Sequence, residues 1–125
     1  MLSASGDGTK LPPLVIVKVE PGKTVESKLR KLDYVRQNKM FIFCQNNAWC
    51  DKYIFSQWVK LIFIPYQKSL CEKCLLIIDK ASSYSFDDSL EILNSLNINY
   101  LLIPSGMTSI LQSMDISVNK VFKDN

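Results

Sequence analysis

The stretch that decides the fold is Leu75-Leu76-Ile77-Ile78-Asp79-Lys80-Ala81-Ser82-Ser83-Tyr84. Four apolar residues without alternation predict a strand buried on both faces, as in the parallel part of a sheet. The strand ends on a carboxylate. An ionised group beside apolar neighbours is costly unless something pairs with it, and a divalent metal ion is such a partner. A second aspartate, Asp115, follows Thr108-Ser109-Ile110-Leu111-Gln112-Ser113-Met114, with 35 residues between the two.

Working outward, Leu14-Val15-Ile16-Val17 follows Pro12-Pro13 and reads as a strand ending near Lys18. Glu20-Pro21-Gly22-Lys23 is a turn, and residues 23–39 read as a polar surface excursion with a short helix around 25–32. Met40-Phe41-Ile42-Phe43-Cys44 is a second buried strand, after which Asn46-Asn47 offers a helix N-cap. A helix over 48–61 is predicted from Trp49, Tyr53, Ile54, Trp58 and Leu61, which recur at helical steps and point to a face packed on a sheet. Stacking of the two tryptophans on nucleic-acid bases is the alternative use of that stripe. Downstream, Ser85 can cap a helix whose inner face carries Leu90, Leu93 and Leu96 and which Asn97 ends. Ile98-Asn99-Tyr100-Leu101-Leu102-Ile103-Pro104 is a further strand, and Ser105-Gly106-Met107-Thr108 leads to a final helix near Asp115. Strands alternating with helices predict an α/β architecture, a largely parallel sheet covered on both faces.

The chain has 125 residues, 47% apolar and 22% charged, which fits one domain spanning 1–125 and excludes disorder. No apolar run approaches the roughly 18 residues needed to cross a bilayer, and Met1-Leu2-Ser3-Ala4-Ser5-Gly6 lacks the character of a signal peptide. The expectation is a soluble intracellular protein with reduced cysteines. Residues 10–39 carry eight basic residues, Lys10, Lys18, Lys23, Lys28, Arg30, Lys31, Arg36 and Lys39, against three acids, a local +5 in a chain of net +3. Such a block serves either as a solvated loop or as an electrostatic footing on DNA.

Ligands of α/β sheets gather at the carboxyl ends of strands, where Asp79 falls. Asp79 and Asp115 brought together would repel, and Mg²⁺ between them would keep both ionised with positions open for water and phosphate. A two-metal clamp of this kind suits phosphoryl transfer on nucleic acid. By spacing alone the metal signal is weak, and the ordinary roles weigh more: a cap on the loop after the strand and a cap on the last helix.

The segment 75–84 resembles the leucine-leucine-hydrophobic-hydrophobic-Asp-Asn-Ala-Ser-Ser-His block of DDE superfamily endonucleases of the pogo, Tigger and jerky kind, which are related to Tc1 and mariner transposases. Leu102-Ile103-Pro104 with Thr108-Ser109-Ile110-Leu111-Gln112-Ser113-Met114-Asp115-Ile116-Ser117-Val118 is similar to their second block. Gly8-Thr9-Lys10-Leu11-Pro12-Pro13-Leu14-Val15-Ile16-Val17-Lys18 and Asn47-Ala48-Trp49-Cys50-Asp51 resemble two more, in the same order. The resemblance implies an RNase H-like mixed sheet flanked by helices and a carboxylate triad that holds two Mg²⁺ ions and cuts DNA. By position, Asp79 matches the second carboxylate and Asp115 the third. It further implies a nuclear location. From its charge, the basic block is expected to contact DNA through Lys28, Arg30, Lys31 and Arg36.

The departures shape the functional expectation. The family's first carboxylate lies on a strand before the Gly-x-Lys-Pro-Pro block. Asp7 does not match it, so the first catalytic strand is expected to be lacking and to be supplied, if at all, by self-association or a partner. Lys80, Tyr84 and Ser113 replace the family's Asn, His and Pro. The leading expectation is an incomplete DDE catalytic domain, inactive alone. The alternatives are a domesticated DNA- or chromatin-binding module without catalysis and a small zinc-stabilised interaction domain. The last would use Cys71 and Cys74, spaced as in a zinc knuckle, with Cys44 and Cys50.

Overall fold

The computed structural model describes residues 1–70, 73–79 and 86–104. Asp115, the final helix, Ser85, Lys80, Tyr84, Cys71 and Ser113 lie outside the described residues. Pro12-Pro13 lead into β1 (Leu14–Lys18), whose β-branched residues suit a pleated strand. Pro21 and Gly22, the latter at φ +83°, turn the chain, as a turn with a left-handed third residue requires. Two short helices follow in the excursion, α1 (Thr24–Leu29) and α2 (Asp33–Arg36), before β2 (Phe41–Gln45). β1 and β2 pair in parallel, Ile16 opposite Phe43.

The next helix begins later than its apolar pattern suggests. The Gln45 side-chain oxygen accepts from the amides of Asn47 and Trp49, at 2.6 and 3.1 Å, and Ala48 takes a left-handed φ of +56°. This turn delays the start to α3 (Lys52–Trp58), where Asp51 rather than an asparagine is the cap, its carboxylate accepting from the Ile54 amide at 2.9 Å. The helix also runs further than 61. A π-helical segment (Val59–Phe63) joins α3 to α4 (Ile64–Leu70), the Ile64 amide reaching back five residues to the Val59 carbonyl. Pro65 accounts for the wider turn. In a regular helix its ring would meet the Leu61 carbonyl, and it has no amide to donate.

The π segment also sets the buried face. Ile54, Phe55, Trp58, Val59, Ile62 and Phe63 are buried at a strict four-residue step. In an α-helix that step overshoots a turn by about 40°, and the wider π turn takes the drift back. Trp49 and Tyr53, read as core from their spacing, are instead 60% and 63% exposed, and Leu61 is 41% exposed.

β3 (Leu75–Asp79), α5 (Phe86–Ser95) and β4 (Asn99–Ile103) form the second parallel crossover, with Asp79 opposite Ile103. α5 ends in a Schellman motif. Asn97 sits at φ +56° while the Ile98 amide bonds the Leu93 carbonyl and the Asn97 amide that of Asn94. Leu93 and Ile98 thereby enter the core together, and Leu96 is left 41% exposed.

Among the described residues the strands form two two-stranded sheets, β1–β2 and β3–β4, rather than one continuous sheet. At Leu14 the edge of β1 away from β2 is taken by the N-terminus: the Leu14 amide bonds the Met1 carbonyl at 3.0 Å, and the Met1 ammonium donates to the Leu14 carbonyl at 2.6 Å. β3 is not buried on both faces either. Leu76 and Ile78 pack on the core, whereas Leu75 and Ile77 are each 58% exposed, because a run of identical hydrophobicity does not reveal which face is covered. One core, built around Leu14, Ile54, Trp58, Val59 and Leu93, joins both sheets to the long helix. No helix among the described residues is long and apolar enough to cross a membrane.

Candidate functional site

Asp79 ends β3, carried there by Leu76 and Ile78, whose inward packing fixes the strand in register with β4. The carboxylate is half-buried. The sequence placed it at the carboxyl end of a parallel strand, and there it is. Its pairing with Asp115 falls outside the described residues. Among the described residues no group of three His, Cys, Asp or Glu side chains stands close enough to hold a metal ion. A magnesium ion needs several oxygen ligands in a near-octahedral array, so Asp79 with its described surroundings does not make a Mg²⁺ site. No metal-dependent step follows from these residues.

Of the four cysteines read as a zinc alternative, Cys71 lies outside the described residues. Cys44, Cys50 and Cys74 form no such group, and the Cys50 thiol instead donates to the Met1 sulfur at 3.3 Å within the core. Burial pushes that thiol up to about 11.

Within the basic block, Lys28 lies on α1, Arg36 on α2, and Arg30 and Lys31 between them. Lys28, Arg30, Lys31 and Arg36 are all exposed. They are not equivalent. Arg30 is clasped by Glu26, its Nη2 donating at 2.6 Å and its Nε at 3.1 Å to Oε1, while Glu26 Oε2 accepts from the Gly22 amide at 2.7 Å. The Gly22 amide and then Arg30 hold the Glu26 carboxyl below the usual carboxylate range. Lys28, Lys31 and Arg36 have no side-chain partner among the described residues. The clasp was readable as an acid four residues before a base, the helical spacing of an ion pair. Of the two tryptophans considered for base stacking, Trp58 is in the core between Phe55 and Phe63, with ring centroids 5.8 and 5.9 Å away, and Trp49 is exposed.

These features define an α/β domain of parallel crossover units, with a carboxylate at a strand's carboxyl end and a separate exposed cationic segment. Residues 1–125 match the family described as DDE superfamily endonuclease, and the chain belongs to that family. It is 26% identical to the human protein "Pogo transposable element with KRAB domain", with 100% of this chain and 19% of that protein covered. The corresponding mouse protein is 25% identical over the same shares. Mouse "Jerky protein" is 34% identical, with 62% of this chain and 15% of that protein covered. The chain therefore spans about a fifth or less of the length of these curated relatives. No solved structure gives a significant match.

Proposed function

We propose that the chain is a transposase-derived DNA-binding domain that holds duplex DNA through the cationic face of α1 and α2 and does not cut it unaided. Family membership supplies the expectation of a nucleic-acid substrate, an RNase H-like architecture, Mg²⁺ use in the parent enzymes and a nuclear location. The observation that carries the reading here is the set of Lys28, Lys31 and Arg36, exposed and without acidic partners among the described residues. Phosphate contacts by such side chains release condensed counterions, which makes binding strong at low salt and independent of sequence. Lys80, beside Asp79 where the family has Asn, puts a cation next to that carboxylate, which supports a reading without unaided cleavage.

The test is duplex DNA binding followed by fluorescence anisotropy over a salt series, together with a Mg²⁺ nicking assay. The triple variant Lys28→Gln, Lys31→Gln, Arg36→Gln should lose affinity and shallow the log–log salt slope by about 2.7, at about 0.9 per phosphate contact. Asp79→Ala should leave binding unchanged, and neither protein should nick. An unchanged slope in the triple variant overturns the assigned surface, and Mg²⁺-dependent nicking that Asp79→Ala abolishes overturns the non-catalytic reading.

A further inference from the structure

A cleft of about 520 Å³ lies between the arm leading into β1, the start of β2 and the long helix. Small-ligand sites run from roughly 300 to 1,000 Å³. Thr9, Lys10, Leu11 and Pro12 form one wall, whose shape is set locally. The Ser5 amide bonds the Thr9 carbonyl at 2.8 Å, the Leu11 amide bonds the Ser3 carbonyl at 3.0 Å, and Asp7 turns its carboxylate onto the Thr9 amide at 2.9 Å. Asn38 and Phe41, where the chain passes from α2 to β2, form a second wall.

The third wall exists because of Pro65. Residues five apart stand about 140° apart around a regular helix, so Lys60 and Leu61 would not share a face with Pro65 and Tyr66. The π turn between them brings both pairs onto the cleft. Such π-bulges inside α-helices are frequent at functional sites.

The lining is apolar and cationic at once. Leu11, Pro12, Phe41, Leu61, Pro65 and Tyr66 supply apolar and aromatic surface, while Lys10 and Lys60 bring positive charge from two different walls. Both lysines are exposed and have no side-chain partner among the described residues, and no acid lines the cleft. A bare anion would leave the apolar surface in water, and a neutral apolar ligand would leave the charges unmet. The fitting occupant is an anion with a flat apolar body. A nucleotide is such a group, provided that it is unpaired, since a base within a duplex has both faces stacked on its neighbours. The cleft also continues the cationic face: Lys10 belongs to the same basic block as Lys28, Lys31 and Arg36, and Asn38 follows Arg36 by two residues.

We propose that this cleft receives an unpaired nucleotide of a DNA strand held on the α1–α2 face, with the base stacked on Tyr66 and the neighbouring phosphates on Lys10 and Lys60. The assignment rests on the DNA reading and adds to it a preference for DNA with an unpaired nucleotide over continuous duplex.

The experiment measures fluorescence anisotropy of three labelled DNAs with the 125-residue chain. One is a continuous duplex, one has a short central gap of unpaired thymidines, and one has the same gap with abasic residues. The gapped DNA should bind roughly fivefold or more tightly than the other two, as the stacking of one base implies. Tyr66→Leu, which keeps apolar bulk without a ring, should abolish that preference, and Tyr66→Phe should retain it, with duplex affinity equal in all three proteins. The double variant Lys10→Gln, Lys60→Gln should shallow the salt slope on the gapped DNA by about 1.4, at about 0.7 per single-strand phosphate contact, and leave the slope on the duplex unchanged.

Three results overturn the assignment. Equal binding of the gapped and abasic DNAs by the parent chain means that no base is held. A preference that survives Tyr66→Leu places the base contact elsewhere. Binding of a peptide that alternates glutamate and phenylalanine, lost in Tyr66→Leu while the gapped and abasic DNAs bind alike, gives the cleft to a protein partner. The slope of the Lys28, Lys31, Arg36 variant on continuous duplex tests the α1–α2 face separately. Loss of the gap preference alone sinks the cleft, whereas binding to none of the DNAs sinks the reading beneath it.

Discussion

Replacing Trp58 by phenylalanine separates two contributions that are usually entangled. The side chain is 4% exposed and sits between Phe55 and Phe63, but its indole N–H has no hydrogen-bond partner among the described residues. Truncation to alanine removes the ring and leaves a cavity, at about 3–5 kcal/mol, a large part of the 5–15 kcal/mol by which small domains are stable. Phenylalanine keeps a ring between its neighbours and loses about 1–1.5 kcal/mol of packing for the smaller volume. It also removes a buried unpaired donor, whose desolvation costs about 1–3 kcal/mol. The two terms nearly cancel. Trp58→Phe is therefore expected within about 1 kcal/mol of the parent in urea unfolding, with Trp58→Ala at least about 2 kcal/mol below it. Far-UV dichroism should follow the transition, since tryptophan fluorescence changes with the substitution itself. A Trp58→Phe loss of about 3 kcal/mol or more, at unchanged m value, would show that the indole N–H is satisfied in solution and refute the reasoning.

Other consequences are directly measurable. Asp51→Ala, which removes the acceptor for the Ile54 amide, should cost about 1 kcal/mol in the same unfolding assay, and Asp51→Asn much less. Glu26→Gln releases Arg30 and removes one acid from the cationic face; DNA affinity should rise and the salt slope steepen by about 0.9, and unchanged binding would show that Arg30 does not reach phosphate. With its folded pKa raised to about 11 from 9.0, the Cys50 thiol stabilises the fold fully below pH 9, and this contribution is lost as pH rises through 11. The parent chain should therefore weaken over that window in pH-dependent denaturation, and a Cys50→Ala variant should weaken less. Iodoacetamide near pH 8 should leave Cys50 unmodified in the folded chain, and its labelling at the rate of an exposed thiol would contradict the burial.

Strand identity was legible in the sequence because β-branched and aromatic runs are bounded by prolines and asparagines that fix local backbone angles, as Pro12-Pro13 and Asn97 show. Which face of a strand is covered was not legible. Leu75, Leu76, Ile77 and Ile78 carry nearly equal hydrophobicity, and only the three-dimensional arrangement leaves Leu75 and Ile77 outside. The long helix failed differently. The predicted stripe holds at Ile54 and Trp58 and falls one residue early at Tyr53 and Leu61, whereas the true stripe of doublets at 54/55, 58/59 and 62/63 lies on one face only because Pro65 forces a wider turn. For the site, strand-end chemistry identified Asp79, and a charge count identified the basic block. The Glu26 clasp that removes Arg30 from it was missed, although an acid four residues before a base on a helix is its signal.

The carboxylate and the cations belong to different crossovers, and this makes their roles separable. α1 packs on β2, between β1 and β2 in the chain, whereas α5 packs on β4 and braces the strand that ends at Asp79. The two crossovers share the core, so a defect in one lowers the stability of both, but among the described residues no side-chain hydrogen bond or ion pair joins α1 or α2 to the other. Leu93 is wholly buried in α5 and pairs with Ile98 across its cap. Leu93→Ala should lower stability by about 2–5 kcal/mol. At a temperature where dichroism shows the variant still folded, DNA affinity and salt slope should equal those of the parent, because the phosphate-binding cations keep their geometry. A folded Leu93→Ala protein with a shallower slope would mean that the two crossovers position the cations jointly. The DNA-binding face could then not be assigned to the β1–β2 unit alone.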